Sequence, residues 1–239
     1  MKKKIMLFSA FIIVVVFTQG FAIVAEEQVT TEKSSKEIIE KIRAMTIPRA
    51  KKYRGVKSKR NVEVKEYDSS GKLITTHKLV MDRIDYSYEP PESKGLKYKK
   101  NGKDEKPTAY KDLKTDPTYP VLDENGEQYY ETAVVAVQVV DGVKCYKVKV
   151  TPKQATSRHF SGHIYYKTDD LEHHVAEGTL GKLPWPFKEF YMRFYFVKQN
   201  GYPMFRSGVM IMKVNVPVVF VDHKFDTTID VIESKPIPY

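Results

Sequence analysis

One cysteine and one tryptophan are all that 239 residues contain of either type. A lone cysteine excludes an internal disulfide scaffold and a multi-cysteine zinc site. A nucleophile elbow, a phosphate-binding P-loop, a dinucleotide glycine fingerprint and the H-E-x-x-H zinc motif are also missing, so no enzyme class has a motif to stand on. There is no internal repeat and no low-complexity tract, which removes solenoids and disordered tails. What is present is 41% apolar and 12% aromatic residues, a composition that forms a core.

The formal charge is +10, from 40 Lys+Arg against 30 Asp+Glu. Three of those charges, Lys2, Lys3 and Lys4, precede the apolar run Ile5 to Phe17 and the small-residue stretch ending at Ala25. That order is the order of a secretory signal peptide over residues 1–25, with an uncleaved anchor as the competing reading. Residues 26–239 are then expected to be one domain, soluble in the periplasm, and nucleic acid is excluded as a partner. The remaining excess is local: residues 49–106 carry 17 basic against 9 acidic groups, while 107–239 carry 16 against 16. The region 49–106 is therefore the candidate edge for a membrane surface or an envelope protein.

Ser34-x-x-Glu37 has the spacing of a capping box, and Ile38, Ile39, Ile42 and Met45 recur at helical spacing, so a helix is expected from Ser34 to a stop at Pro48. One short amphipathic helix must cover something. The rest of the chain alternates in the manner of strands. Ser69-Ser70-Gly71, Asn101-Gly102, Asp141-Gly142 and Asn200-Gly201 mark turns between them, and residues 104–127 form a loop with at most one helical turn. The segment Phe190 to Phe196 and its neighbour with Met204, Met210 and Met212 are apolar on both faces, a soft wall suited to flexible acyl chains. These readings sum to an α+β fold: a large curved antiparallel sheet, an incomplete barrel, capped by one or more helices.

Cys145 sits mid-strand, where a buried inert thiol is expected. His159 and His163 fall on one strand face, and a four-residue turn at 167–170 would set His174 opposite His163. Three imidazoles could hold zinc or copper, but no acidic ligand completes the site, so neither a metal nor another cofactor is expected.

The run Phe160-Ser161-Gly162-His163-Ile164-Tyr165-Tyr166-Lys167-Thr168-Asp169-Asp170-Leu171, followed by Gly178, Pro184-Trp185-Pro186 and an aromatic strand, resembles the hairpin series of LolA-like outer-membrane lipoprotein-sorting proteins. The Tyr67 to Lys72 and Asn101 to Lys103 hairpins and the closing Asp222 to Ile232 strand are similar to secreted members of that group. The resemblance covers most of residues 35–233 and rests on turns and alternation, without a catalytic signature. It implies a half-barrel with an apolar cavity for lipid or lipoprotein acyl chains and a lid helix bearing Ile38, Ile42 and Met45. Trp185, Phe190, Met192, Phe194, Phe196, Met210 and Met212 complete the expected lining. A carrier is one implied role, and a protein-interaction or envelope-stress sensor module of the same fold is the other. With no cysteine near the cut, the membrane-anchored receptor branch does not fit, and the extra C-terminal domain of the stress regulators is not seen.

Overall fold

A computed structural model describes residues 27–28, 32–86, 89–107, 120–199, 201–216 and 221–239. The leader expected over residues 1–25 lies outside them. The elements in chain order are β1 (Glu27–Gln28), α1 (Glu32–Lys52), β2 (Tyr53–Tyr67), β3 (Leu73–Tyr86), β4 (Glu92–Lys100), β5 (Lys103–Glu105), α2 (Gly126–Tyr129), β6 (Tyr130–Val140), β7 (Val143–Pro152), β8 (Phe160–Lys167), β9 (His173–Leu180), β10 (Phe187–Gln199), β11 (Tyr202–Val216) and β12 (Val221–Pro238).

The twelve strands among the described residues belong to one antiparallel sheet in the order β1-β6-β7-β8-β9-β10-β11-β12-β2-β3-β4-β5. Two meanders, β6 to β12 and β2 to β5, are joined where β12 pairs with β2, so the last strand of the chain lies inside the sheet. Its alternation explains that place: Thr227 and Ile229 are buried while Thr228 and Asp230 are exposed, and Ile229 pairs with Val62 on β2 and Gly208 on β11. The tight turns follow from local chemistry. Asn101 and Asp141 both sit at φ 49°, each followed by a glycine near φ 80° (Gly102 at 81°, Gly142 at 80°), the double positive-φ geometry that Asn-Gly and Asp-Gly permit. The Asp68 carboxylate accepts the backbone N–H groups of Ser70 and Lys72 and so closes the β2–β3 turn.

Helix α1 differs from expectation at both ends. It starts at Glu32, so Ser34 lies inside the first turn and is not the cap, and it passes through Pro48 to Lys52. Proline removes one helical hydrogen bond and crowds a carbonyl, but tertiary contacts on both sides hold this helix to the sheet. Near its start the Ser35 hydroxyl accepts the Val134 N–H at 2.8 Å, close to a bulge in the β6–β7 pairing. Near its end Arg49 reaches Glu172 in the β8–β9 connection. Between them Ile39 and Ile42, 7% and 0% exposed, enter a core with Leu122, Tyr130, Val134, Val148 and Ile164.

Candidate functional site

On β10, Phe190, Met192, Phe194 and Phe196 share one face, and the register sets them against Met212, Met210, Gly208 and Phe205 of β11. A side chain at Gly208 would fall inside the Phe194 ring, so the glycine makes room for that ring to lie flat across β11. The same face continues through Phe225, Thr227 and Ile229 on β12, Val62 and Val64 on β2, and Leu79 and Met81 on β3, to Tyr98 on β4. It is the inner face of the sheet. Its β6–β9 portion is packed directly under α1, with Ile38 half-buried and Ile42 fully buried against it. From β10 to β12 the face is half-buried at Phe190, Phe194, Met210, Met212 and Phe225 and buried at Met192, Thr227 and Ile229. Met45 is half-buried on α1, and Trp185 stands apart from all of these, 77% exposed between β9 and β10.

Two charged clusters among the described residues reach this face with partners. Arg60 is 8% exposed. It donates to Asp85 and to Ser58, its guanidinium lies over the Phe205 ring at 4.9 Å, and Arg83 bonds the other oxygen of Asp85 at 2.7 Å. Burial holds Arg60 below the usual arginine value, with Asp85 opposing the shift and Arg83 adding to it. Further along β2, Glu66 takes His223 at 2.7 Å and lies 3.9 Å from His77, which hydrogen-bonds Tyr98. The basic segment 49–106 thus divides: Arg60 and Arg83 turn inward, whereas Lys94, Lys97, Lys99 and Lys100 of β4 are exposed near the sheet edge.

The three histidines singled out in the sequence are not brought together. His163 pairs opposite Glu177, His159 bonds Thr156 at 2.6 Å outside the strand, and His174 turns to the Val140 carbonyl. His173 pairs with Tyr166, and a register shift between Tyr165 and Tyr166 moves β9 by one more residue. Among the described residues no group of three or more His, Cys, Asp or Glu is placed to hold a metal. Cys145 is fully buried, and desolvation pushes its thiol up to about 11, which leaves it protonated and unreactive at neutral pH.

Sequence reading missed two features. Glu172, 1% exposed, accepts both guanidinium nitrogens of Arg49 at 2.7 and 2.8 Å and the Lys198 ammonium at 2.8 Å, tying α1, the β8–β9 connection and β10 together. His173 stacks on Phe196 at 3.8 Å and on Tyr166 at 5.4 Å, with its Nε2 buried and unpartnered. Only the Asp-Asp-Leu-Glu run between two apolar strands hinted at the first, since Arg49 is 123 positions away.

The class defined by this arrangement is an open antiparallel half-barrel with one helix seated on its inner face. No family model and no curated protein matches the chain. Similar solved structures include a DUF1329 family protein from Desulfovibrio piger (13% identity, TM-score 0.44, covering 84% of this chain and 92% of that one). A LolA superfamily protein from Nitrosomonas europaea is similar at 10% identity and TM-score 0.42, with 84% and 92% covered. A domain named for outer membrane lipoprotein sorting, from Vibrio parahaemolyticus, is similar at 9% identity and TM-score 0.45, with 85% and 92% covered. No helix among the described residues is long and apolar enough to cross a membrane.

Proposed function

We propose that this chain is a non-enzymatic periplasmic carrier or binding protein that shelters lipid or lipoprotein acyl chains against the inner face of the half-barrel, as in outer-membrane lipoprotein sorting. The observation that carries the reading is the half-buried strip of Phe190, Phe194, Met210, Met212 and Phe225, continuous across β10, β11 and β12. Unbranched methionines and aromatic rings adapt to a flexible chain, and each methylene buried there contributes about 0.8 kcal/mol. The ligand would lie along this strip beside the core under α1, which Ile38, Ile39 and Ile42 already fill and against which Phe190, Phe194 and Met210 pack. The basic and apolar leader from Lys2 to Ala25 supports export. The test is uptake of a fluorescent fatty acid by the purified chain, with native mass spectrometry for co-purified lipid. Met212→Asp, with its fold verified by circular dichroism, should abolish uptake. No lipid and no uptake by the unaltered chain would refute the carrier reading.

A second reading, a protein-interaction or envelope-stress sensor module, is favoured by one observation: the core beneath α1 is filled by the protein's own side chains. Its partner would meet the exposed lysines of β4. Capture of a partner from envelope extract should then fail when Lys94, Lys97 and Lys99 are replaced by Gln together.

A further inference from the structure

At one end of β6–β8, away from the strip, lies a cleft of about 490 Å³. Its wall is the β7–β8 connection, residues 153–159, facing Gln128 and Tyr129 of α2. The charged side chains lining it are all basic or imidazole: Lys153, Arg158 and His159. The hydroxyls of Thr156, Ser157 and Tyr129 and two side-chain amides complete the lining, and no carboxylate is among the described lining residues. Residues 107–239 as a whole carry 16 basic and 16 acidic groups, so this sorting of charge is local and not inherited from composition.

The walls are stitched by backbone. Lys153 N–H donates to the Tyr129 carbonyl at 2.8 Å, Lys182 N–H to the Thr156 carbonyl at 3.1 Å, and Gly181 N–H to the His159 carbonyl at 2.7 Å. The Thr156 hydroxyl receives the Arg158 N–H and meets His159 Nδ1 at 2.6 Å. The backbone of the connection is thus fixed before any ligand arrives, which limits the ordering cost of binding. Burial, with Arg158 adding to it, holds the His159 imidazole below its usual value. An anion in the cleft would oppose both effects.

We propose that this cleft binds a phosphate group, carried either by a lipid head or by a soluble phosphate ester. A phosphate offers three or more acceptor oxygens to a guanidinium fork, an ammonium and several hydroxyls, more than a carboxylate can present. Tyr129 also packs against the core beneath α1, so the cleft adjoins apolar ground on one side.

The test titrates the purified chain with inorganic phosphate at constant ionic strength, following the His159 ring by NMR and the heat of binding by calorimetry. Phosphate should shift the His159 resonances and raise the pH at which they titrate. Lys153→Gln, at an exposed position, should weaken phosphate about tenfold, as should Arg158→Gln, while Lys94→Gln on the far edge leaves it unchanged. Because Arg158 is half-buried and its variant could misfold, Lys153→Gln carries the decision. Binding to phosphatidic acid vesicles that inorganic phosphate competes away assigns a lipid head as the source. Phosphate binding without vesicle binding assigns a soluble ester. No phosphate-specific shift at His159, or equal weakening by Lys94→Gln, overturns the site. Fatty-acid uptake by Lys153→Gln separates this proposal from the carrier reading, which does not depend on the cleft.

Discussion

Replacing Glu172 by Gln keeps the side chain's shape and removes its charge, which isolates the contribution of the Arg49–Glu172–Lys198 cluster. The carboxylate side chain is 2% exposed, Arg49 21% and Lys198 46%. A bidentate arginine pair at this depth is worth about 1.5–3 kcal/mol, and a lysine that is nearly half-exposed adds about 0–1. Both cations can recover water when the charge goes, so the loss stays below the roughly 3–5 kcal/mol of an orphaned buried charge. The expected destabilisation is about 2 kcal/mol, or a melting temperature lower by about 6 °C for a chain of this size. Arg49→Gln should cost at least as much, because it leaves a buried carboxylate with Lys198 alone, and the double variant should recover about 1–2 kcal/mol of the summed losses. The pH dependence has a fixed sign. Burial pushes the Glu172 carboxyl up, but hydrogen bonds from Arg49 and then Lys198 overcome it and hold the group below its ordinary 4.5. A carboxylate with a depressed folded value contributes stability above the unfolded value and loses it as pH falls through the folded one. Guanidinium melts by circular dichroism should therefore show the full difference at neutral pH and convergence of Glu172→Gln with the unaltered protein in acid. A difference under about 0.5 kcal/mol at neutral pH, or one that persists unchanged in acid, would refute the assignment.

Ile42→Ala empties the only fully buried position on the inner face of α1 among the described residues and should cost about 3–4 kcal/mol in the same melts; a loss under about 1 kcal/mol would mean the helix is not seated on the sheet. His173 is pushed down to about 3 by burial, with His174 adding to the shift. The unfolded chain then binds more protons between that value and its own value near 6.5, so stability falls as pH drops through this window, by up to about 1.4 kcal/mol per unit. His173→Phe removes the unpartnered Nε2 while keeping the stack, and should raise stability by about 1 kcal/mol at neutral pH and flatten that acid-side slope; an unchanged slope would exclude His173 as its source.

The turns were legible because their chemistry is local: Asn-Gly and Asp-Gly need no distant partner to adopt positive φ. The alternation of Thr227 to Asp230 was legible for the same reason, since period 2 is written in neighbouring residues. Pro48 misled because the rule that proline ends a helix is also local, while the contacts that carry α1 past it, Ile42 in the core and Arg49 on Glu172, come from strands far along the chain. The histidine face failed through register. A four-residue turn at 167–170 would set His174 opposite His163, but the connection comes later, which puts His173 and not Leu171 opposite Tyr166, and the shift between Tyr165 and Tyr166 adds one more residue, so Glu177 stands opposite His163. A slip of one residue exchanges the two faces of a strand, and nothing in the sequence marks it.

The paired charges on the inner face bear on how an acyl chain could lie there. Along β2 only Val62 and Val64 separate Arg60 from Glu66 on that face, and at about 3.3 Å per residue the two charged groups are about 20 Å apart. Both are held by partners, Arg60 by Asp85 and Glu66 by His223, so neither can swing aside without leaving a buried charge exposed to apolar ground. Across the strands the apolar face meets no such limit. From Met192 on β10 through Met210, Thr227, Val64 and His77 the path ends on a histidine, but one pair of residues over, Phe194, Gly208, Ile229, Val62, Leu79 and Tyr98 form an unbroken row from β10 to β4. Five strand spacings of about 4.8 Å make that row about 24 Å long. On the proposed carrier reading, an acyl chain would therefore align across the strands and over the Phe194 ring, which occupies the space above Gly208. A bulky residue at Ile229, in the middle of the row, should block a long acyl chain more than a short one, whereas the same change at Val64 should affect both alike.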